Sequence, residues 1–129
     1  MTGKSDSRKV LIVEDSARTA HGLAEMINYY DVKSEIVSDG DKAMKLLEDN
    51  EYFLIITNSR MPKVSGLQLL KDVKKHYPHI PVAVISTYDS ASTRSIVTKH
   101  RADFYLPKPI RISDVKELLE AADELRNRR

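Results

Sequence analysis

Four places in this 129-residue chain set down residue types that do chemistry. A carboxylate pair, Glu14-Asp15, follows the apolar run 10–13, and an amide, Asn58, follows the run 53–57. Two hydroxyls, Ser86-Thr87, follow the run 82–85, and an ammonium, Lys108, stands between Pro107 and Pro109 after the run 102–106. Adjacent carboxylates repel, so holding two together calls for a cation or strong donor nearby. A hard divalent ion such as Mg²⁺ takes one or two carboxylates, a carbonyl and several waters. An ammonium and a hydroxyl suit phosphoryl oxygens. If these residues meet, they describe a pocket for a phosphoryl group beside a metal. Taken singly, each has a plainer reading. Glu14-Asp15 complements a helix N-terminus, Ser86-Thr87 caps or turns the chain, and Lys108 is a loop residue. An Xaa-Pro bond is the natural home of a cis peptide, and a cis Lys108–Pro109 bond would aim the lysine sharply.

What could bring them together is bounded by length and composition. The chain is long enough for one domain with a self-sufficient core. Apolar residues make 41% and charged residues 31%, too apolar and too mixed in sign for a disordered chain. Lys and Arg number 21 against 19 Asp and Glu, an excess too small to predict nucleic-acid binding. There is no cysteine, which excludes disulfides, thiolate metal sites and a cysteine nucleophile, and points to a cytoplasmic setting. Its apolar runs are far shorter than a bilayer span, and the polar start MTGKSDSRK does not read as a signal peptide.

Short apolar runs alternate with helical periodicity, the pattern of a parallel sheet with helices on both faces. Strands are expected at 9–13, 32–38, 53–57, 82–85 and 102–106, the second with mixed faces that suit a sheet edge. Ser16 caps a first helix with Ala17, Ala20, Ala24 and Ile27 on its stripe. Asp39-Gly40 leads into a second carrying Ala43, Met44, Leu46 and Leu47. A third turns Leu67, Leu70 and Val73 inward before Pro78 and Pro81. A fourth, over 91–100, is poor in helix formers and should be the least rigid. Ser113 or Asp114 caps the last, with Val115, Leu118, Leu119, Ala122 and Leu125 inward. The boundaries expected are a frayed segment 1–8, one domain over 9–126 and a basic tail 127–129. In open parallel sheets, sites form outside the carboxyl ends of the strands, where all four stretches fall.

The ordered motifs VLIVED, SDGDKAM, LIITNSRMPKVSG, IPVAVIST and ADFYLPKP resemble a bacterial two-component response-regulator receiver domain across about residues 9–125. The resemblance implies a doubly wound, flavodoxin-like (βα)5 fold with strand order 2-1-3-4-5. It implies that Glu14, Asp15 and the backbone carbonyl of Arg60 hold Mg²⁺. It makes Ser86 and Lys108 the phosphoryl-contacting residues, Ser86 and Tyr105 the switch pair, and Gly66 the glycine of the loop after the acceptor. It also implies a protein–protein switch in a phosphorelay and not an enzyme. Its partners would be a sensor histidine kinase and an output domain or target protein. A homodimer through the face of the fourth helix, fifth strand and last helix is a further association it implies. No membrane and no direct nucleic-acid contact are expected.

The departure falls on the chemistry. Asn58 stands at the phosphoacceptor position, where the family carries aspartate. A carboxylate attacks phosphorus through an anionic oxygen, whereas an amide oxygen carries no full charge. No phosphorylation is therefore expected at position 58. The family's three carboxylates against one lysine sum to −2; Glu14, Asp15 and Lys108 sum to −1. One unit charge at 4 Å is worth about 1–4 kcal/mol between water and an effective dielectric near 20, so Mg²⁺ should bind more weakly. The amide is either native to a pseudo-receiver or a single replacement in an ordinary receiver. Phe53, Arg101 and Phe104 also depart from the usual pattern, and Arg101 at a helix C-cap needing positive φ costs roughly 1 kcal/mol. Thr57 and Ser59 flank Asn58 and should point away from the pocket. His21, His76, His79 and His100 lack metal-ligand spacing. Lys63, Lys71, Lys74 and Lys75 read as a solvated helix face. Two alternatives stand beside this reading. One is the receiver fragment of a larger DNA-binding regulator; the other is a flavodoxin-like binder of a nucleotide or flavin, against which no Gly-rich phosphate loop follows the first strand.

Overall fold

The computed structural model of the chain describes residues 8–59, 66–86, 98–99 and 101–128. Its elements are β1 (Lys9–Val13), α1 (Ala17–Tyr29), β2 (Lys33–Val37), α2 (Gly40–Asp49), β3 (Leu54–Asn58), α3 (Gly66–His76), β4 (Val82–Ser86), β5 (Phe104–Pro107) and α4 (Ile112–Asn127). The five strands form one parallel sheet in the order β2-β1-β3-β4-β5, as the resemblance implies. The expected fourth helix, 91–100, lies almost wholly outside the described residues.

Strand alternation builds a core on each face. Val10, Ile12, Leu54, Ile56, Ala83 and Ile85 pack with Leu23 and Ile27 of α1 and Val115, Leu118 and Leu119 of α4. Leu11, Val13, Ile55, Val82 and Val84 pack with Ala43 and Leu47 of α2 and Leu69, Leu70 and Val73 of α3. Helices on both faces leave no solvated side to the central strands, so β1, β3 and β4 are apolar almost throughout.

Local signals start the helices. Ser16 caps α1 by accepting the Thr19 N–H at 3.3 Å, and Asp39 caps α2 by accepting the Lys42 N–H at 2.9 Å. Two expectations fail. Ala17 is exposed, and Leu23 takes its place on the buried stripe of α1. The cap of α4 is Arg111, not Ser113 or Asp114. Asp114 instead stands three residues in and accepts the Arg111 N–H at 2.9 Å. Strand β3 also runs one residue later than the apolar pattern places it, which carries Asn58 into the strand.

Lys74 is not part of a solvated face. Its ammonium meets Asp103 at 2.5 Å, with only 12% of the lysine side chain and 14% of the aspartate exposed. The same Asp103 oxygen accepts the Val82 N–H at 2.8 Å, and the Asp103 N–H donates to Val82 O at 2.9 Å. The pair thus ties the end of α3 to the start of both β4 and β5. Lys71 and Lys75 are exposed as expected, and Lys63 lies outside the described residues.

Candidate functional site

The site lies at the carboxyl ends of β1, β3, β4 and β5. Backbone hydrogen bonds continue past the strands there and fix each contributor. Glu14 donates its N–H to Val37 O at 3.0 Å, Ser59 to Ile85 O at 3.0 Å, and Lys108 to Ser86 O at 2.8 Å. The expected cis bond is present between Lys108 and Pro109.

Glu14 is the centre of the cluster, with its side chain 0% exposed. Its Oε1 accepts from Asn58 Nδ2 at 3.0 Å and from the Ser16 N–H at 3.2 Å. Its Oε2 accepts from Lys108 Nζ at 3.2 Å. A buried carboxylate needs such partners, and here an ammonium, an amide and a backbone donor supply them. Glu14, Asn58 and Lys108, separated by 44 and 50 residues in turn, are therefore brought together. Asp15 behaves differently. It is exposed and makes no hydrogen bond or ion pair among the described residues.

Ser86 is 2% exposed at the end of β4. Its hydroxyl accepts from Ser59 Oγ at 3.1 Å. Ser59 therefore does not point away from the pocket. Strict alternation holds only while the backbone stays extended, and β3 ends at Asn58, so the residue after it is released from that rule. Thr57, fully buried, turns its hydroxyl onto Asn58 O at 3.1 Å. Tyr105 is partly buried in β5 opposite Val84 and packs against the core on the α2–α3 face. Arg60 and Thr87 lie outside the described residues.

Gly66 opens α3 directly against the end of β3. A Cβ there would stand 1.7 Å from Asn58 O and 2.7 Å from the Asn58 carbonyl carbon. Only glycine permits that approach, so the backbone at position 58 is set partly by residue 66.

Chemically, the cluster is one buried carboxylate already neutralised from within, one exposed carboxylate, two bonded hydroxyls and one ammonium. Among the described residues, no three His, Cys, Asp or Glu side chains converge as a metal centre. Asp15 is open to a hard cation. Glu14 would have to loosen its hold on Asn58 or Lys108 to share one. The donor set therefore fits a divalent ion.

The chain matches the Response regulator receiver domain family over residues 10–120. It is 30% identical over 120 residues to the response regulator protein PilR of Pseudomonas aeruginosa, covering 93% of this chain and 27% of PilR. It is 25% identical over 113 residues to the response regulator MprA of Mycobacterium sp. (strain KMS), covering 88% of this chain and 49% of MprA. The chain thus spans half or less of the length of these curated relatives. Its fold is shared with the receiver domain of a Pseudomonas aeruginosa sensor histidine kinase, solved with a magnesium ion coordinated in the active site cleft. The TM-score is 0.82 at 19% identity, over 89% of this chain and 96% of that one. Sheet order, strand-end cluster and family match agree that the chain belongs to the response regulator receiver domain family.

Proposed function

We propose that this chain is a receiver module that signals through protein–protein contact and takes no phosphoryl group at position 58. The observation supporting this most directly is the sharing of Glu14 between Asn58 and Lys108, at 3.0 and 3.2 Å. Were position 58 a carboxylate, one of its oxygens could bond to the phosphorus of acetyl phosphate. The P–O bond to the acetyl group would then break, and acetate would leave with the electron pair. The amide has no such oxygen and spends its N–H on Glu14. Ser86 and Lys108 keep the roles of phosphoryl-contacting hydroxyl and ammonium, and Tyr105 is the aromatic that moves with Ser86.

Glu14, Asp15 and the carbonyl of Arg60 would hold Mg²⁺, by likeness to the family and to the magnesium-bearing neighbour. When bound, that ion neutralises charge on phosphoryl oxygens. With Glu14 already paired, the affinity should be tens-fold below that of the Asn58→Asp variant. The partners are a sensor histidine kinase and an output domain or target protein, in a cytoplasmic setting. The face expected to combine residues 91–100 with β5 and α4 is the candidate for self-association. No helix among the described residues is long and apolar enough to cross a membrane. The receiver unit is residues 9–126, flanked by 1–8 and 127–129. A second reading, the receiver part of a longer regulator, is favoured by the 49% and 27% shares of MprA and PilR that the chain spans.

The test is incubation with acetyl phosphate and Mg²⁺, followed by intact-mass measurement, of this chain and its Asn58→Asp variant. A phosphoryl mass should appear on the variant alone. Addition to both would mean another residue accepts it, and addition to neither would mean the pocket is inactive for reasons beyond position 58.

A further inference from the structure

Ser59 has no role in the reading above, yet its hydroxyl is 3.1 Å from Ser86 Oγ. Its backbone is pinned to β4 by the N–H bond to Ile85 O at 3.0 Å. Ser86 is pinned in turn through its own carbonyl, which accepts the Lys108 N–H at 2.8 Å. With both backbones held, the two hydroxyls keep their separation unless a side chain rotates. Ser86 is 2% exposed, so water is a poor substitute for the Ser59 donor.

We infer that Ser59 is a positioning residue for Ser86. Its hydroxyl holds Ser86 Oγ in the resting orientation, and in the Asn58→Asp variant Ser86 must give up that bond to turn toward a phosphoryl group at position 58. The inference rests on the reading of Ser86 as the phosphoryl-contacting hydroxyl. A single neutral hydrogen bond biases such an equilibrium by about two- to tenfold. Ser59 would then set how readily the pocket closes on an anion without touching the reacting atoms. An alanine removes the donor, whereas a threonine keeps it.

The test uses the full chain carrying Asn58→Asp, with Ser59 native or changed to Ala, Thr or Val. Phosphoryl gain from acetyl phosphate with Mg²⁺ is followed by intact mass across a range of acetyl phosphate concentrations. Ser59→Ala should raise the maximal rate about two- to tenfold and leave the half-saturating concentration within about twofold. Ser59→Thr should return the rate to that of native Ser59, while the equally bulky Ser59→Val should behave like alanine. The threonine and valine pair carries the comparison if the alanine variant fails to fold. A rate unchanged or lowered by alanine, or threonine behaving like valine, overturns the inference and leaves the reading of position 58 intact. No mass gain in the Asn58→Asp parent overturns both.

Discussion

Asn58 donates its side-chain amide to Glu14 Oε1 at 3.0 Å, joining the end of β3 to the residue that follows β1. The bond is one that an ionised carboxylate at position 58 could not make, having no proton to donate. A carboxylate there would face another carboxylate across the same gap, and the nearest relief would be Lys108, already committed to Glu14.

The Asn58→Asp variant should therefore be less stable than the native chain without metal, by about 1–3 kcal/mol after partial compensation by Lys108. Millimolar Mg²⁺ should recover most of that loss in the variant and little in the native chain. Paired urea titrations measure both. A variant more stable than the native chain in EDTA would contradict the charge argument.

Gly66→Ala should be costly despite the small size of the change. The added carbon would lie 1.7 Å from Asn58 O, and backbone on both sides must move to admit it. A loss of about 3 kcal/mol or more is expected, with chemical-shift changes concentrated at residues 57–59 and 66–70. A shift in thermal midpoint of less than about 2 °C would refute it.

Breaking the Lys74–Asp103 pair should destabilise the fold from the opposite end of the sheet. Lys74→Met takes the ammonium from a mostly buried carboxylate that also accepts the Val82 N–H, at a cost of about 2–3 kcal/mol. Asp103→Ala also removes the cap on Val82 and should cost at least as much. The double variant should cost less than the sum of the two, which a double-mutant cycle in urea reads directly.

Arg101 has φ of 70° and is exposed. Arg101→Gly removes the left-handed strain while giving back some chain entropy, for a net gain of about 0.5–1 kcal/mol. Calorimetry should show a higher midpoint, and a lower one would mean the guanidinium contributes more than its backbone costs.

Burial, then the hydrogen bond to Glu35 and its charge, push the Tyr52 phenol above its ordinary value. Tyr52 OH lies 2.6 Å from Glu35 Oε1. The folded chain thus keeps this proton where the unfolded chain loses it. Stability from Tyr52 is fully present below pH about 10 and declines as pH rises beyond that. Tyr52→Phe should be less stable near pH 7 by about 1 kcal/mol and lose less between pH 10 and 11 than the native chain. Parallel pH profiles would sink the assignment.

The parts legible in the sequence are those written in local pattern. Residues 9–13 read as a strand because the apolar run 10–13 suits a doubly covered strand, and Ser16 reads as a cap because its hydroxyl can accept an N–H of the first turn, as it does from Thr19. The meeting of Glu14, Asn58 and Lys108 at one rim was legible because strand ends in a parallel sheet face one way. Pairings within it were not. That Glu14 takes both Asn58 and Lys108 depends on which side chain reaches farthest into the gap, a question of three strands at once. Ser59 escaped because alternation says nothing past a strand's last residue. Lys74 escaped because its partner stands 29 residues away on a different element, and helical spacing records only which face a residue occupies. Asp114 carried a genuine helix-start signal, read three positions too late.

The N–H bonds of Glu14, Ser59 and Lys108 to neighbouring strands mean that the cleft is assembled before anything enters it. At Glu14, Ser59 and Lys108 the backbone is tied to the sheet, so these three positions present their side chains from a fixed frame. Such a frame tolerates exchange of one isosteric group for another without rebuilding. Under the function proposed above, an amide at residue 58 would silence a reaction while preserving, almost unaltered, the surface by which other proteins would know the molecule.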